Sequence, residues 1–245
     1  MKIEVLGVDF DSVTLAEAIA SALGQLRSGA CRYIVTPNPE IVWTCRKNGE
    51  LRAAVGGALL TLPDGIGVMY GARILGRPIV QRIPGIDFAA KLLGEISRTD
   101  FSVFLLGARP GVADRASEKL RRDYPGLRIA GTNDGYFEKN DEIVGKINAS
   151  GAAAVIVCLG SPKQELWMSK NAPNLSAKLC VGLGGALDVF SGDVSRAPES
   201  WRRHGLEWLY RLLHSPSRIR RIFRLPAFIC AVIWGRITGG NRRER

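Results

Sequence analysis

The sequence predicts an α/β protein: a Rossmann-like parallel sheet sandwiched by helices, followed by a basic, amphipathic C-terminal appendage. Three observations carry this. Short β-branched apolar runs alternate with helical patterns, most regularly from residue 101 onward, as parallel strands buried on both faces require. Each predicted strand ends in a loop rich in Gly and polar residues. Charge is divided unevenly along the chain. Residues 201–245 hold 11 arginines, no lysine and two acids, a net +9, while residues 1–200 hold 23 basic and 21 acidic residues, a net +2.

Taken in order, the apolar spacing predicts a strand at 3–8, a helix at 14–26 and a strand at 31–35. That strand runs into Thr36-Pro37-Asn38-Pro39-Glu40 and a helix at 41–47. A strand at 58–62 ends in Pro63-Asp64-Gly65-Ile66-Gly67, and a basic loop over 73–82 leads to Ile83-Pro84-Gly85-Ile86-Asp87 and then a helix to about 97. The strand at 101–106 ends in Gly107-Ala108-Arg109, with a helix to 124. The strand at 127–130 ends in a loop from Gly131, with a helix to 150. The strand at 153–159 ends in Gly160-Ser161-Pro162-Lys163-Gln164, with a helix to 171. The last strand, 178–183, ends in Gly184-Gly185-Ala186-Leu187-Asp188. This divides the chain into an α/β catalytic domain at 1–200, its Rossmann-like half at about 101–190, and an appendage at 201–245.

Composition excludes several classes. At 245 residues, 46% hydrophobic and 23% charged, the chain can bury a sizeable core. Five scattered cysteines without a C-x-x-C pair read as buried thiols in a reducing compartment. Both histidines, His204 and His214, lie near the C-terminus, so no catalytic zinc or Ser-His-Asp triad is expected in the body. The acidic start lacks the features of a signal peptide, which places the protein in the cytoplasm or on the inner face of the membrane. In the tail, arginines interleave with Leu206, Trp208, Leu209, Tyr210, Leu212 and Leu213, then with Ile219, Ile222 and Phe223. The apolar stretch 225–234 is half the roughly 20 residues a spanning helix needs. Basic amphipathic helices of this kind lie on anionic membrane surfaces; packing on the body with a solvated Arg face is the plainer reading. No nucleic-acid-reading motif accompanies the charge.

Ligands of open α/β sheets bind outside the carboxyl ends of the strands, where helix N-termini favour phosphate. The post-strand residues Gly107, Gly160, Gly184 and Gly185 therefore mark a phosphorylated-ligand site. The dinucleotide fingerprint fails at 182–187, where Leu187 stands in place of the last Gly, and no P-loop occurs. Asp9-Phe10-Asp11 has the form of a metal-binding D-x-D, but Asp11 or Ser12 capping the next helix is the better reading. Asp64, flanked by Pro and Gly after a strand, is placed either as a general base or as a helix cap. Thr36, Asn38 and Arg82 supply donors, and Arg82 suits a diphosphate.

Five strings in order (TPNPEIV at 36–42, LPDGIGV at 62–68, RIPGIDF at 82–88, LGSPKQELWM at 159–168 and the long block at 182–222) resemble the WecG/TagA/CpsF family, glycosyltransferase family 26. The resemblance implies a GT-E-type fold and inverting transfer of a sugar from a UDP-sugar to a polyprenyl-diphosphate-linked saccharide. That sugar is N-acetylmannosamine, N-acetylmannosaminuronic acid or glucose, and the products are surface polysaccharide or teichoic acid. It further implies Asp64 as base, Thr36, Asn38, Arg82 and Gln164 in the pocket, Asp188 near the nucleotide, and no metal or other cofactor. The basic tail would contact the membrane and bring arginines over the site, with Arg211, Arg218, Arg221 and Arg224 as candidates. Oligomeric state stays open. A non-catalytic UDP-sugar-binding protein or a basic nucleic-acid-binding protein stands as the alternative.

Overall fold

The computed structural model describes residues 1–203, 209–210 and 224–238. The chain opens with a hairpin, β1 (Lys2–Val5) and β2 (Val8–Asp11), where one strand over 3–8 is expected. Leu6 and Gly7, at φ 51° and 83°, make its two-residue turn. Two positive φ values match the twist of a tight hairpin, and a leucine at the first of them conceals the turn from a sequence reading. Helix α1 (Leu15–Leu26) starts from a reciprocal cap: Thr14 Oγ1 accepts from Glu17 N, and the Glu17 carboxylate accepts from Thr14 N at 2.7 Å. The cap expected at Asp11 or Ser12 is thus at Thr14. Asp11 instead accepts from Thr61 N at 2.8 Å, and Ser12 from Val80 N at 3.1 Å.

The first half continues with β3 (Arg32–Val35), α2 (Pro39–Cys45), α3 (Gly49–Gly56), β4 (Leu60–Thr61), α4 (Ile66–Ile74) and α5 (Gly85–Ile96). Helices α3 and α4 are additions to the expected order, and α4 takes in the start of the expected basic loop. The second half is β5 (Ser102–Gly107), α6 (Val112–Asp123), β6 (Arg128–Asn133), α7 (Asn140–Ala149), β7 (Ala154–Cys158), α8 (Lys163–Asn171), β8 (Leu179–Gly182) and α9 (Ala186–Ser191). Then come α10 (Glu199–Arg203) and α11 (Arg224–Ile237).

Strands β3 to β8 form one parallel sheet in the order β4-β3-β8-β7-β5-β6. Alternate residues of each strand feed two apolar layers. Val35, Phe104, Leu106, Val155, Val157 and Cys180 pack with the hairpin, α2, α3, α4, α7, α8 and α11. Ile34, Val103, Leu105, Ala154, Ile156 and Val181 pack with α1, α5, α6 and α9. Strand β5 is followed by β6 on one side and β7 on the other, a reversal that opens a crevice at the carboxyl edge.

At that edge Gly107 has φ 126°, and a Cβ there would overlap the Cys158 carbonyl oxygen. Gly107→Ala is expected to cost at least about 2 kcal/mol through backbone strain and overpacking; urea denaturation checks it.

The described end of the tail packs on the body. Phe228 and Val232 of α11 are fully buried in the layer shared with α2 and α4, and Arg236 Nη1 donates to Leu75 O at 3.1 Å. Ile233, Trp234 and Ile237 stay exposed. Among the described residues no helix is long and apolar enough to cross a membrane. The cysteines correct one expectation. Cys45, Cys158 and Cys180 are buried, whereas Cys31 is half-buried and Cys230, on the outer side of α11, is exposed. Burial pushes the Cys158 thiol up to about 12 and Cys45 to about 11.

Candidate active site

The loops at the carboxyl ends of the strands are joined by backbone and side-chain hydrogen bonds. After β3, Thr36 is buried and its Oγ1 donates to Gly182 O of β8 at 3.0 Å. Pro37 O accepts from Asp64 N at 3.2 Å, joining the loops after β3 and β4. Pro63 O accepts from Ile83 N at 3.0 Å, which sets Arg82 beside the Asp64 loop. Asp64 Oδ2 then faces Gly85 N, at the start of α5, at 3.5 Å. Thr36, Asp64 and Arg82, which follow one another at intervals of 28 and 18 positions, therefore share one edge.

Asp64 does not cap the helix that follows it. The cap of α4 is Gly65, with no side-chain hydrogen bond. Asn38, by contrast, caps α2: its Oδ1 accepts from Ile41 N at 3.1 Å, and its amide NH2 is left to donate elsewhere. Helices α1, α2 and α3 are capped by side chains. Helices α4 to α9 have no side-chain cap hydrogen bond. Some of their first N–H groups are met within the protein, as Gly85 N is by Asp64 Oδ2 and Val112 N by Arg109 O; those left open suit an anion.

The loops after β7 and β8 are built around Gln164. It is 2% exposed, and its Oε1 accepts from Gly184 N at 2.9 Å. Both ends of its amide are used within the protein, so in this conformation it shapes the Gly184-Gly185 turn. Gly107, Gly160 and Gly184 all have positive φ and lie at the ends of β5, β7 and β8. Asp188 lies in the first turn of α9, directly after Gly185. Of the tail residues, Arg224 begins α11, while Arg211, Arg218 and Arg221 lie outside the described residues. Among the described residues, no group of three or more His, Cys, Asp or Glu side chains is arranged to hold a metal.

Glu165 is a buried acid that sequence reasoning passed over. It is 1% exposed, Oε1 accepts from Gln164 Nε2 at 2.9 Å, and Oε2 has no hydrogen-bond partner. Burial raises its carboxyl above the ordinary 4.5, against the lowering effect of the Gln164 amide. The folded state therefore holds this proton to higher pH than the unfolded chain. The contribution to stability is full below the unfolded value and is lost as pH rises through the folded one, by at most about 1.4 kcal/mol per pH unit. Glu165→Gln keeps an acceptor for Gln164 and removes the ionisation. Its melting temperature relative to the parent is expected to rise with pH above about 5; thermal melts across pH check this.

A parallel sheet covered on both faces, with a carboxylate and an arginine on neighbouring loops at its carboxyl edge, has the architecture of an α/β enzyme. The chain belongs to the WecG/TagA/CpsF family of glycosyl transferases, whose sequence model matches residues 3–242. It is also similar to an N-acetylglucosaminyldiphosphoundecaprenol N-acetyl-β-D-mannosaminyltransferase of Bacillus spizizenii. The two are 41% identical over 201 residues, covering 82% of this chain and 78% of that protein. The protein is therefore a glycosyltransferase of α/β fold, as the five strings imply.

Proposed function

We propose that the protein transfers N-acetylmannosamine from its UDP-sugar to a polyprenyl-diphosphate-linked N-acetylglucosamine, in the synthesis of a cell-surface polymer. The acceptor follows the relative's substrate. The observation that carries the chemistry is Asp64, tied by its backbone to Pro37, with its carboxylate set against the first turn of α5 and not at the cap of α4.

An acceptor hydroxyl is a poor nucleophile at neutral pH. Asp64 takes its proton as the bond from acceptor oxygen to the anomeric carbon forms. The bond from that carbon to the phosphate oxygen breaks, and UDP leaves with the electron pair. Such a base contributes about 10²–10⁴-fold. Charge grows on the diphosphate as it leaves. Arg82, the uncapped N–H groups and arginines of the tail oppose it, an electrostatic role that asks for no metal. The exposed Ile233, Trp234 and Ile237, on a helix whose other side is locked into the body, support docking on the inner face of the membrane, where the acceptor resides. UDP release from a panel of UDP-sugars tests the reading, with a lipid-diphosphate-N-acetylglucosamine acceptor. Acceptor-dependent release with UDP-N-acetylmannosamine is expected. Release only with UDP-glucose or the uronic acid changes the donor, and none with any sugar, tail intact and detergent present, rejects the reading.

A further inference from the structure

The segment between α9 and α10 leads from the body into the basic tail, and it is held from several sides. Asp193 pairs with Arg115 of α6 at 2.6 Å, Val194 N donates to Asp188 O at 2.9 Å, and Ala197 is buried. The remaining tie is Arg196, whose Nη2 lies 2.6 Å from Asp87 Oδ1. This pair differs from a surface ion pair. The two side chains are 23% and 38% exposed, and Arg196 Nε is buried with no hydrogen-bond partner. A buried donor left unpaired is unfavourable, so the guanidinium is held there by what its other end grips.

What it grips is the candidate site's frame. Asp87 lies in the first turn of α5. In the same turn Gly85 N faces Asp64 Oδ2 at 3.5 Å, and a Cβ at Gly85 would lie 3.0 Å from Thr36 Oγ1. On its other side Arg196 is three residues before α10, from which the chain runs on to the tail arginines. One ion pair thus joins the turn that seats Asp64 to the root of the segment carrying the remaining positive charge.

We propose that Asp87 and Arg196 are positioning residues, a strap that sets the root of the basic tail in register with the α5 turn beside Asp64. This rests on the reading of Asp64 as base. Misplacing catalytic groups by about 1 Å can cost 10²-fold, so Asp87→Asn and Arg196→Gln in the full chain are each expected to lower kcat roughly 10- to 100-fold. Arg196→Lys recovers part of the loss, and the exchanged pair Asp87→Arg with Arg196→Asp recovers most of it. A side chain acting directly on substrate would not be restored by the exchange, so a loss without recovery overturns the strap, as do single variants with parental turnover. The Arg196→Lys and Arg196→Gln comparison carries the test where the exchanged pair does not fold.

Amide hydrogen exchange over residues 193–203 gives a readout independent of activity. Exchange there is expected to speed up in both single variants and to return in the exchanged pair; unchanged exchange overturns the proposal. A parent chain inactive with every UDP-sugar rejects the glycosyl-transfer reading instead, and the exchange data still decide the strap.

Discussion

Asp64→Asn is expected to lower kcat by about 10²–10⁴-fold while leaving UDP-sugar affinity and melting temperature close to those of the parent. The substitution is isosteric. An amide oxygen can still accept from Gly85 N, and the backbone bond to Pro37 O is untouched, so both of these contacts survive. What the amide lacks is the capacity to take a proton. The loss therefore falls on the step in which the acceptor hydroxyl attacks, and not on donor binding. Turnover by UDP release, with calorimetric titration of UDP-sugar into the variant, separates the two. A rise in dissociation constant with kcat unchanged would make Asp64 a binding residue.

Phe228→Ala is expected to cost about 3–5 kcal/mol of stability, in the range for a large aromatic removed from a packed core. Phe228 is fully buried, and its ring and Val5 of β1 both pack close to Gly71 of α4. Gly71 is what admits it, since a Cβ there would lie 3.2 Å from the Phe228 ring. The effect has a bearing on function. Helices α2 and α4, on which α11 packs, begin at Asn38 and directly after Asp64. Loosening α11 loosens the supports of both loops and the platform from which Ile233, Trp234 and Ile237 project. Urea denaturation checks the stability. A cost under about 1 kcal/mol would mean that α11 is attached weakly to the body.

Much of this architecture can be read before folding, because it depends on local pattern. The strands at β3, β5, β7 and β8 are short apolar runs ended by Gly or Thr-Pro, and Thr36, Asn38, Gly107, Gly160, Gln164, Gly184, Gly185 and Asp188 follow such runs. The features that escaped depend on distant partners. Leu6 adopts positive φ because the hairpin fixes its register, not because leucine favours it. Strand β6 continues through Gly131 to Asn133, where a loop is expected, since β5 pairs with it there. Helix α3 is eight residues bounded by glycines, too short and too glycine-rich to stand out from a loop. Gln164 looks solvent-exposed at a helix start, but α8 turns it under the Gly184 loop. Arg196 and Asp87 are 109 positions apart, and no spacing rule connects them. Cys230 lies in an apolar run that looks buried on both sides, whereas α11 buries only the side bearing Phe228 and Val232.

The proposed reaction is a direct displacement at the anomeric carbon by a hydroxyl that Asp64 deprotonates. The stereochemistry of the product tests it most directly. Proton NMR of the disaccharide formed from an α-linked UDP-sugar reads the configuration of the new bond. A single displacement predicts a β linkage, the configuration in the name of the Bacillus spizizenii transferase. An α linkage would mean two displacements or front-side attack, and would contradict the role given to Asp64.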